Sequence, residues 1–323
     1  MAIPKLPSAA GLEKSAAIFL LTQGFAIFAL LFAFNSVVLA PGTYTSFMSQ
    51  NGIYAQISSA VANNIVMGLP EGAMIAPPGD MVNRISNYLP ENYIEEQTGI
   101  FITETIDYVA GRSAHYSPSI NLVPIRGKIS QAIIESYIST RGLDITSPEQ
   151  QSVIALQQQS IVNLIPETID RQQIEKSQTA AAAFGKMVAA LDTARGYFAT
   201  LNAFMVAAGI IAALSALALF ALVRNAYEFF RALWKPIAVC GAEMVIISIA
   251  LPFLGAGIAG NALAGYAADA QTQAAISKLM AYMLTSVGIT NAMFGAAAII
   301  AGGALYALAK YVLSPPGFSE PAQ

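Results

Sequence analysis

A carboxylate, Glu243, stands inside IAVCGAEMVIISIALPFLGAGIAG, a run from Ile237 to Gly260 that is otherwise apolar enough to cross a bilayer. An ionisable group near mid-membrane costs on the order of 3 kcal/mol on insertion scales, so it ordinarily faces protein or water and finds a partner. Three roles fit such a group: a hydrogen-bonded carboxyl that pins the register of a helix bundle, an ion or proton site, or a contact to a partner subunit. The same run contains G-x-G-x-x-G at Gly255, Gly257 and Gly260. That pattern serves dinucleotides only between a strand and a helix of a βαβ unit, and here it ends an apolar span. The spacing of Ala256, Gly260 and Ala264 gives instead a small-xxx-small face on which helices approach closely, and Gly295, Ala298 and Gly302 give another.

Elsewhere reactive side chains are sparse. The single histidine, His115, and the single cysteine, Cys240, fall short of the several His or Cys ligands of a zinc site. They also leave little for haem ligation or a Ser-His-Asp triad. His115 lies in GRSAHYSPS, the composition of a solvated turn. Carboxylates gather at Glu91, Glu95, Glu96, Glu104 and Asp107, but no DxDxDG-like loop supplies the roughly six to eight oxygens that calcium takes. They read as a solvated acidic helix face. Neither a cofactor nor a catalytic activity is expected.

The elements that hold these residues are set by composition. Of 323 residues, 55% are hydrophobic and 11% charged, against about 25% charged in soluble domains. Runs of about 20 apolar residues, the length that spans a hydrocarbon core, occur at 16–40, 198–223, 236–259 and 288–313. The first exceeds a secretory signal core of about 7 to 15 residues and has no strict A-x-A site after it, so it reads as an uncleaved anchor. The expected fold is an all-α integral membrane protein: a four-helix transmembrane bundle, with a mainly helical extracytoplasmic domain over 41–197 inserted between the first two spans.

Orientation follows from basic residues near the span ends. With the N-terminal segment 1–15 cytoplasmic, Lys5, Lys14, Arg224, Arg231, Lys235 and Lys310 fall inside, and Lys186, Arg195 and Lys278 outside. Both termini are therefore expected in the cytoplasm of a cell whose plasma membrane holds the chain. The loop 224–235 and tail 314–323 are then also inside, and an amphipathic segment at 260–287 outside. Segment 41–197 carries 14 acidic and 9 basic residues, a net charge of −5, which gives nucleic acid no electrostatic footing.

Within 41–197 the periodicity is helical. Ile102, Ile106 and Val109 recur at helical spacing, as do Ile129, Ile133 and Tyr137 after Pro124. Ser147, Pro148 and Gln150 spell a helix start with a capping box, carrying a helix to about Leu164. Pro166 is expected to open a further helix continuous with the second span, which would connect the two rigidly along the stripe Phe184, Met187, Val188, Leu191 and Phe198. SINLV, from Ser119 to Val123, is the one short alternating stretch and a strand candidate.

Counting inward from the cytoplasmic ends places Glu243 seven residues past Pro236, roughly 10 Å deep at about 1.5 Å per residue. Gln23, Ser215 and Tyr306 lie at a similar depth, so one polar level is expected across all four spans. Asn35, Asn202, Asn261 and Asn291 form a second level near the external ends, suited to interhelical hydrogen bonds. Pro252, between the levels, is expected to kink the third span.

The order of one span, a large external segment and three further spans resembles that of the FtsX and MacB class of ABC permeases and of claudin-like proteins. The first resemblance implies a subunit that transmits force from a cytoplasmic ATPase. The inner loop RNAYEFFRALWK lacks the charged pattern of an ATPase-coupling permease, and the claudin-type external Trp and Cys pair is absent. The expected function is accordingly a noncatalytic structural or interaction subunit that meets membrane lipid and a protein partner or further copies of itself. A force-transmitting permease subunit, or a small transporter or channel using Glu243, is the alternative.

Overall fold

The computed structural model describes residues 9–69, 76–142, 147–171, 178–223, 225–262 and 270–313. The described chain is almost wholly helical, and four of its helices are long and apolar enough to cross a membrane. It divides into two compact units, residues 1–40 with 199–323, and residues 41–198.

The unit 41–198 opens with α1's successor helices α2 (Pro41–Gln50), α3 (Ile53–Gly68), α4 (Pro78–Tyr88) and α5 (Glu91–Val109), where α1 is Ala9–Val38. α6 (Arg126–Arg141) and α7 (Pro148–Leu164) follow. Each has one apolar stripe, and the stripes meet. Met81, Ile85 and Leu89 on and just after α4, Ile94 on α5, and Ile129 and Ile133 on α6 are buried in one core with Ile65 of α3. Burying side chains of this size contributes about 1.5–3 kcal/mol each. α6 stops at Gly142, whose positive φ of 62° suits a residue without a Cβ.

Two stretches depart from the sequence reading. Ser147 stands at the N-cap of α7 with Pro148 in the first turn, but its side chain makes no capping bond, and its carbonyl accepts the Gln151 N–H at 3.0 Å instead. Pro166 opens no helix. The β-branched pair Thr168–Ile169 forms strand β2, antiparallel to β1 (Ile120–Asn121), with Ile120 opposite Ile169 and Asn121 opposite Thr168. This short ladder includes the strand candidate, and α5 fixes its edge. The Tyr93 hydroxyl donates to the Asn121 carbonyl at 2.7 Å, and the Asn121 N–H donates to Gln97 Oε1 at 3.0 Å.

The next helix, α8, runs unbroken from Gln178 to Val223. Its 46 residues extend roughly 69 Å at about 1.5 Å per residue, more than twice a hydrocarbon core of about 30 Å. Phe184, Met187, Val188 and Leu191 pack with Tyr108 and Tyr116 in a cluster of their own. The Tyr108 hydroxyl donates to the Asp192 carboxylate, and the Arg195 guanidinium lies 4.9 Å from the Tyr108 ring centre.

The other unit comprises α1, the later part of α8, α9 (Ala226–Ala262) and α10 (Ala270–Ala307), which ends in a π turn over Leu308–Val312. Both Pro236 and Pro252 lie inside α9, and the helix continues through them. Of the amphipathic segment 260–287, residues 270–287 belong to the single helix α10 together with the fourth span, and 263–269 lie outside the described residues.

Contact within this unit rests on glycine. A Cβ on Gly241 of α9 would lie 2.5 Å from the Gly295 carbonyl oxygen of α10, and one on Gly295 would lie 2.6 Å from that of Gly241. Gly302 meets the Trp234 carbonyl at 2.9 Å and Gly288 meets that of Ser248 at 2.8 Å by the same measure. Gly288, Gly295 and Gly302 thus recur every seven residues, and so do their partners Ser248, Gly241 and Trp234, in reverse order. A seven-residue repeat keeps one seam in register along helices that wind left-handedly. Pro252 lacks the N–H that would bond the Ser248 carbonyl, and that carbonyl is the one against Gly288. On the other side, Gly24 of α1 approaches Ala208 and Ala212 of α8.

Candidate functional site

The polar residues on the four long apolar helices are the natural place to look for chemistry, and the structure divides them. Asn35 and Asn202 are joined, with Asn35 Nδ2 donating to Asn202 Oδ1 at 2.6 Å between α1 and α8. Asn291 is fully buried and donates from Nδ2 to the Met244 carbonyl at 3.1 Å and to Ser248 Oγ at 3.0 Å, tying α10 to α9. Asn35, Asn202 and Asn291 therefore form two separate contacts rather than one level. Asn261, Ala256 and Gly260 lie on α9 with side-chain surroundings outside the described residues, and Ala264 lies outside them altogether.

The deeper level is not assembled. Ser215 is buried, Gln23 is half-buried, and Glu243 and Tyr306 are exposed. No hydrogen bond connects any two of them among the described residues. Tyr306 packs its ring 4.9 Å from that of Trp234, and its hydroxyl accepts from Lys310 Nζ at 3.2 Å. Small-residue packing holds this depth instead, together with Cys240, whose thiol donates to the Thr22 carbonyl at 3.4 Å.

Glu243 faces outward for a geometric reason. The inner side of α9 is set by Cys240, Gly241, Met244 and Ser248, all buried. Glu243 is two residues beyond Gly241, about 200° round a helix of 3.6 residues per turn. Val239, Ile246 and Ile247, all exposed, are its neighbours on that face. A carboxylate thus stands on the outer, apolar side of a helix that is itself apolar enough to cross a membrane.

The remaining candidates carry no assembled chemistry. His115 is an exposed loop residue whose carbonyl accepts from Ser113 Oγ at 2.7 Å. Glu91, Glu95 and Glu96 point to solvent, and Asp107 pairs with Arg112 at 2.7 Å. Glu104 differs, because its Oε2 is shielded and has no hydrogen-bond partner. Burial holds this carboxyl above the usual range, against the opposing pull of the Ser119 backbone N–H. No group of three metal-binding side chains occurs among the described residues.

Ala298 is buried, and Gly295 and Gly302 lie in the α9–α10 seam. Gly241, which Gly295 meets, and Gly288, which meets Ser248, lie outside the spacing of small residues four apart, whereas a spacing of seven joins Gly288, Gly295 and Gly302. Ser248 and Thr22 had no signal beyond being polar residues in apolar runs. Comparison of the chain with models of protein families, with curated proteins and with solved structures found no match.

Proposed function

We propose that this is a noncatalytic multi-pass membrane protein acting as a structural or interaction subunit, with both termini cytoplasmic and the helical segment 41–197 as its extracytoplasmic part. The observation that carries this reading is the outward position of Glu243. An ionisable group near mid-membrane costs on the order of 3 kcal/mol, and a chain that uses it internally would turn it toward its own helices. Here the inward positions beside it, Gly241 and Met244, are filled by contact with α10. Contact with a partner explains the placement better than a path through the bundle does, and this weighs against a transporter or channel that uses Glu243. The helical unit has a core of its own, which suits it to present a fixed surface to that partner.

A photo-cross-linking residue in place of Ile246, on the face of Glu243, tests this in native membranes. The expected product is a protein adduct, either a second copy of the chain or a distinct subunit, that is lost on Glu243→Leu. Adducts to lipid alone, unchanged by that substitution, would overturn the reading.

A further inference from the structure

Where α9 begins and α10 ends, two lysines are held on three aromatic rings. Gly302 of α10 meets the Trp234 carbonyl of α9, and this close approach sets Trp234 beside Tyr306, one turn past Gly302, with ring centres 4.9 Å apart. Lys235 Nζ lies 5.4 Å from the centre of the Trp234 ring. Lys310 Nζ lies 5.5 Å from that of Tyr306 and 5.6 Å from that of Tyr311. All three separations are within cation–π reach, about 6 Å. The rings therefore fix two ammonium groups whose side chains are exposed. Lys310 also donates to the Tyr306 hydroxyl at 3.2 Å, which leaves the phenol proton to donate to a further acceptor. Carboxylates are sparse here. α10 and its π turn carry no Asp or Glu, and Glu228 and Glu243, the two on α9, stand seven and eight residues from Lys235. On α1, which packs at this end through Ala17, Glu13 is offset by Lys14.

Two fixed ammonium groups and a phenol donor suit an anion with several acceptor oxygens. The surroundings narrow the choice. α9 and α10 are long and apolar enough to cross a membrane, Trp and Tyr favour the headgroup level of a bilayer, and Leu308 and Val312 beside Lys310 are exposed. A phosphate that carries acyl chains matches both the donors and the apolar flank, whereas a soluble phosphate matches the donors alone. A choline headgroup is less suited, because the rings that would receive its quaternary ammonium already hold Lys235 and Lys310. We propose that this end of the α9–α10 pair binds the headgroup of an anionic phospholipid, with Lys235, Lys310 and Tyr306 meeting its phosphate. The proposal is independent of the role given to Glu243 and holds for whichever leaflet this end occupies.

Trp234 is the single tryptophan of the chain, so its fluorescence reports the lipid beside this site. The test reconstitutes the full-length protein into phosphatidylcholine bilayers that contain either brominated phosphatidylglycerol or brominated phosphatidylcholine, at one ionic strength. At equal mole fraction the brominated phosphatidylglycerol should quench more strongly. That preference should fall by up to about fivefold for each of Lys235→Gln and Lys310→Gln, both exposed positions. Lys278→Gln, near the start of α10, should leave it unchanged, and so should inorganic phosphate added at matched ionic strength. Equal quenching by the two lipids, a preference retained when both lysines are replaced, or an equal fall in Lys278→Gln would overturn the proposal. Displacement by inorganic phosphate would also overturn it, by assigning the site to a soluble anion.

Discussion

The glycine seam between α9 and α10 makes a prediction whose sign differs at two adjacent residues. A Cβ added to Gly302 would meet the Trp234 carbonyl oxygen at 2.9 Å, whereas one added to Gly303 would meet nothing within 4 Å. The strongest test is Gly295, where the new Cβ would lie 2.6 Å from the Gly241 oxygen against an ordinary contact that begins at 3.4 Å. The shortfall, 3.4 minus 2.6, is 0.8 Å, and the atom in the way is backbone, so two helices must separate to relieve it. Overpacking of this kind costs about 1–3 kcal/mol. Both Gly295→Ala and Gly303→Ala gain about 1 kcal/mol of helix propensity, so that gain cancels when the variants are compared with each other. Gly303→Ala should therefore be more stable than Gly295→Ala by about 1–3 kcal/mol. Reversible unfolding in mixed micelles, followed by the fluorescence of Trp234, measures the difference, and the single tryptophan sits in the seam itself. Equal stability of the two variants, or greater stability of Gly295→Ala, would refute the packing argument.

Other expectations follow from single contacts. A double-mutant cycle on Asn35→Ala and Asn202→Ala should give a coupling of about 0.6–2 kcal/mol, measured in the same micelle assay. Zero coupling would mean that the 2.6 Å bond does not stabilise the bundle. Tyr108→Phe removes the donor to Asp192 but keeps a ring beneath Arg195, so thermal stability should fall by about 1 kcal/mol, and an unchanged midpoint would argue against the bond. For Glu104 the sign is as follows: its folded-state pKa is raised by burial, so the folded state holds its proton more tightly than the unfolded state does. Stability contributed by this group falls as pH rises from the ordinary glutamate range through the raised value, then levels off. Glu104→Gln should flatten that part of a midpoint-against-pH curve, and a profile superimposable on wild type would remove Glu104 as its source.

What could be read from the sequence was whatever depends on position along a helix. The four spans, the end of α7 at Leu164 and the small-residue character of Gly295 and Gly302 all follow from periodicity and hydropathy, which are properties of one segment at a time. Pairings between segments were less legible. Pro166 is a good first-turn residue in isolation, but Thr168 and Ile169 are claimed by the edge at Ile120 and Asn121, a partner some fifty positions away in the chain. Depth in the membrane could be counted for Gln23, Ser215, Glu243 and Tyr306. Azimuth could not, because which side of a span faces inward is set by its neighbours. Asn35 and Asn202 illustrate the favourable case, where shared depth and shared azimuth coincide and a bond forms.

Azimuth also limits how Glu243 can be accommodated. Turning α9 far enough to bring the carboxylate inward means a rotation of well over a quarter turn. That rotation would carry Gly241 away from Gly295 and Ser248 away from Asn291 together, since both lie on the side that now faces α10. Asn291 would then be left with its buried amide unpaired, at about 1–3 kcal/mol, and residues with larger side chains would be driven against Gly288, Gly295 and Gly302. With overpacking of about 1–3 kcal/mol, the combined cost of roughly 2–6 kcal/mol is comparable with the cost of order 3 kcal/mol that the rotation would relieve. The seam therefore favours the outward position of Glu243, and under the function proposed above a partner supplies the environment of its carboxylate.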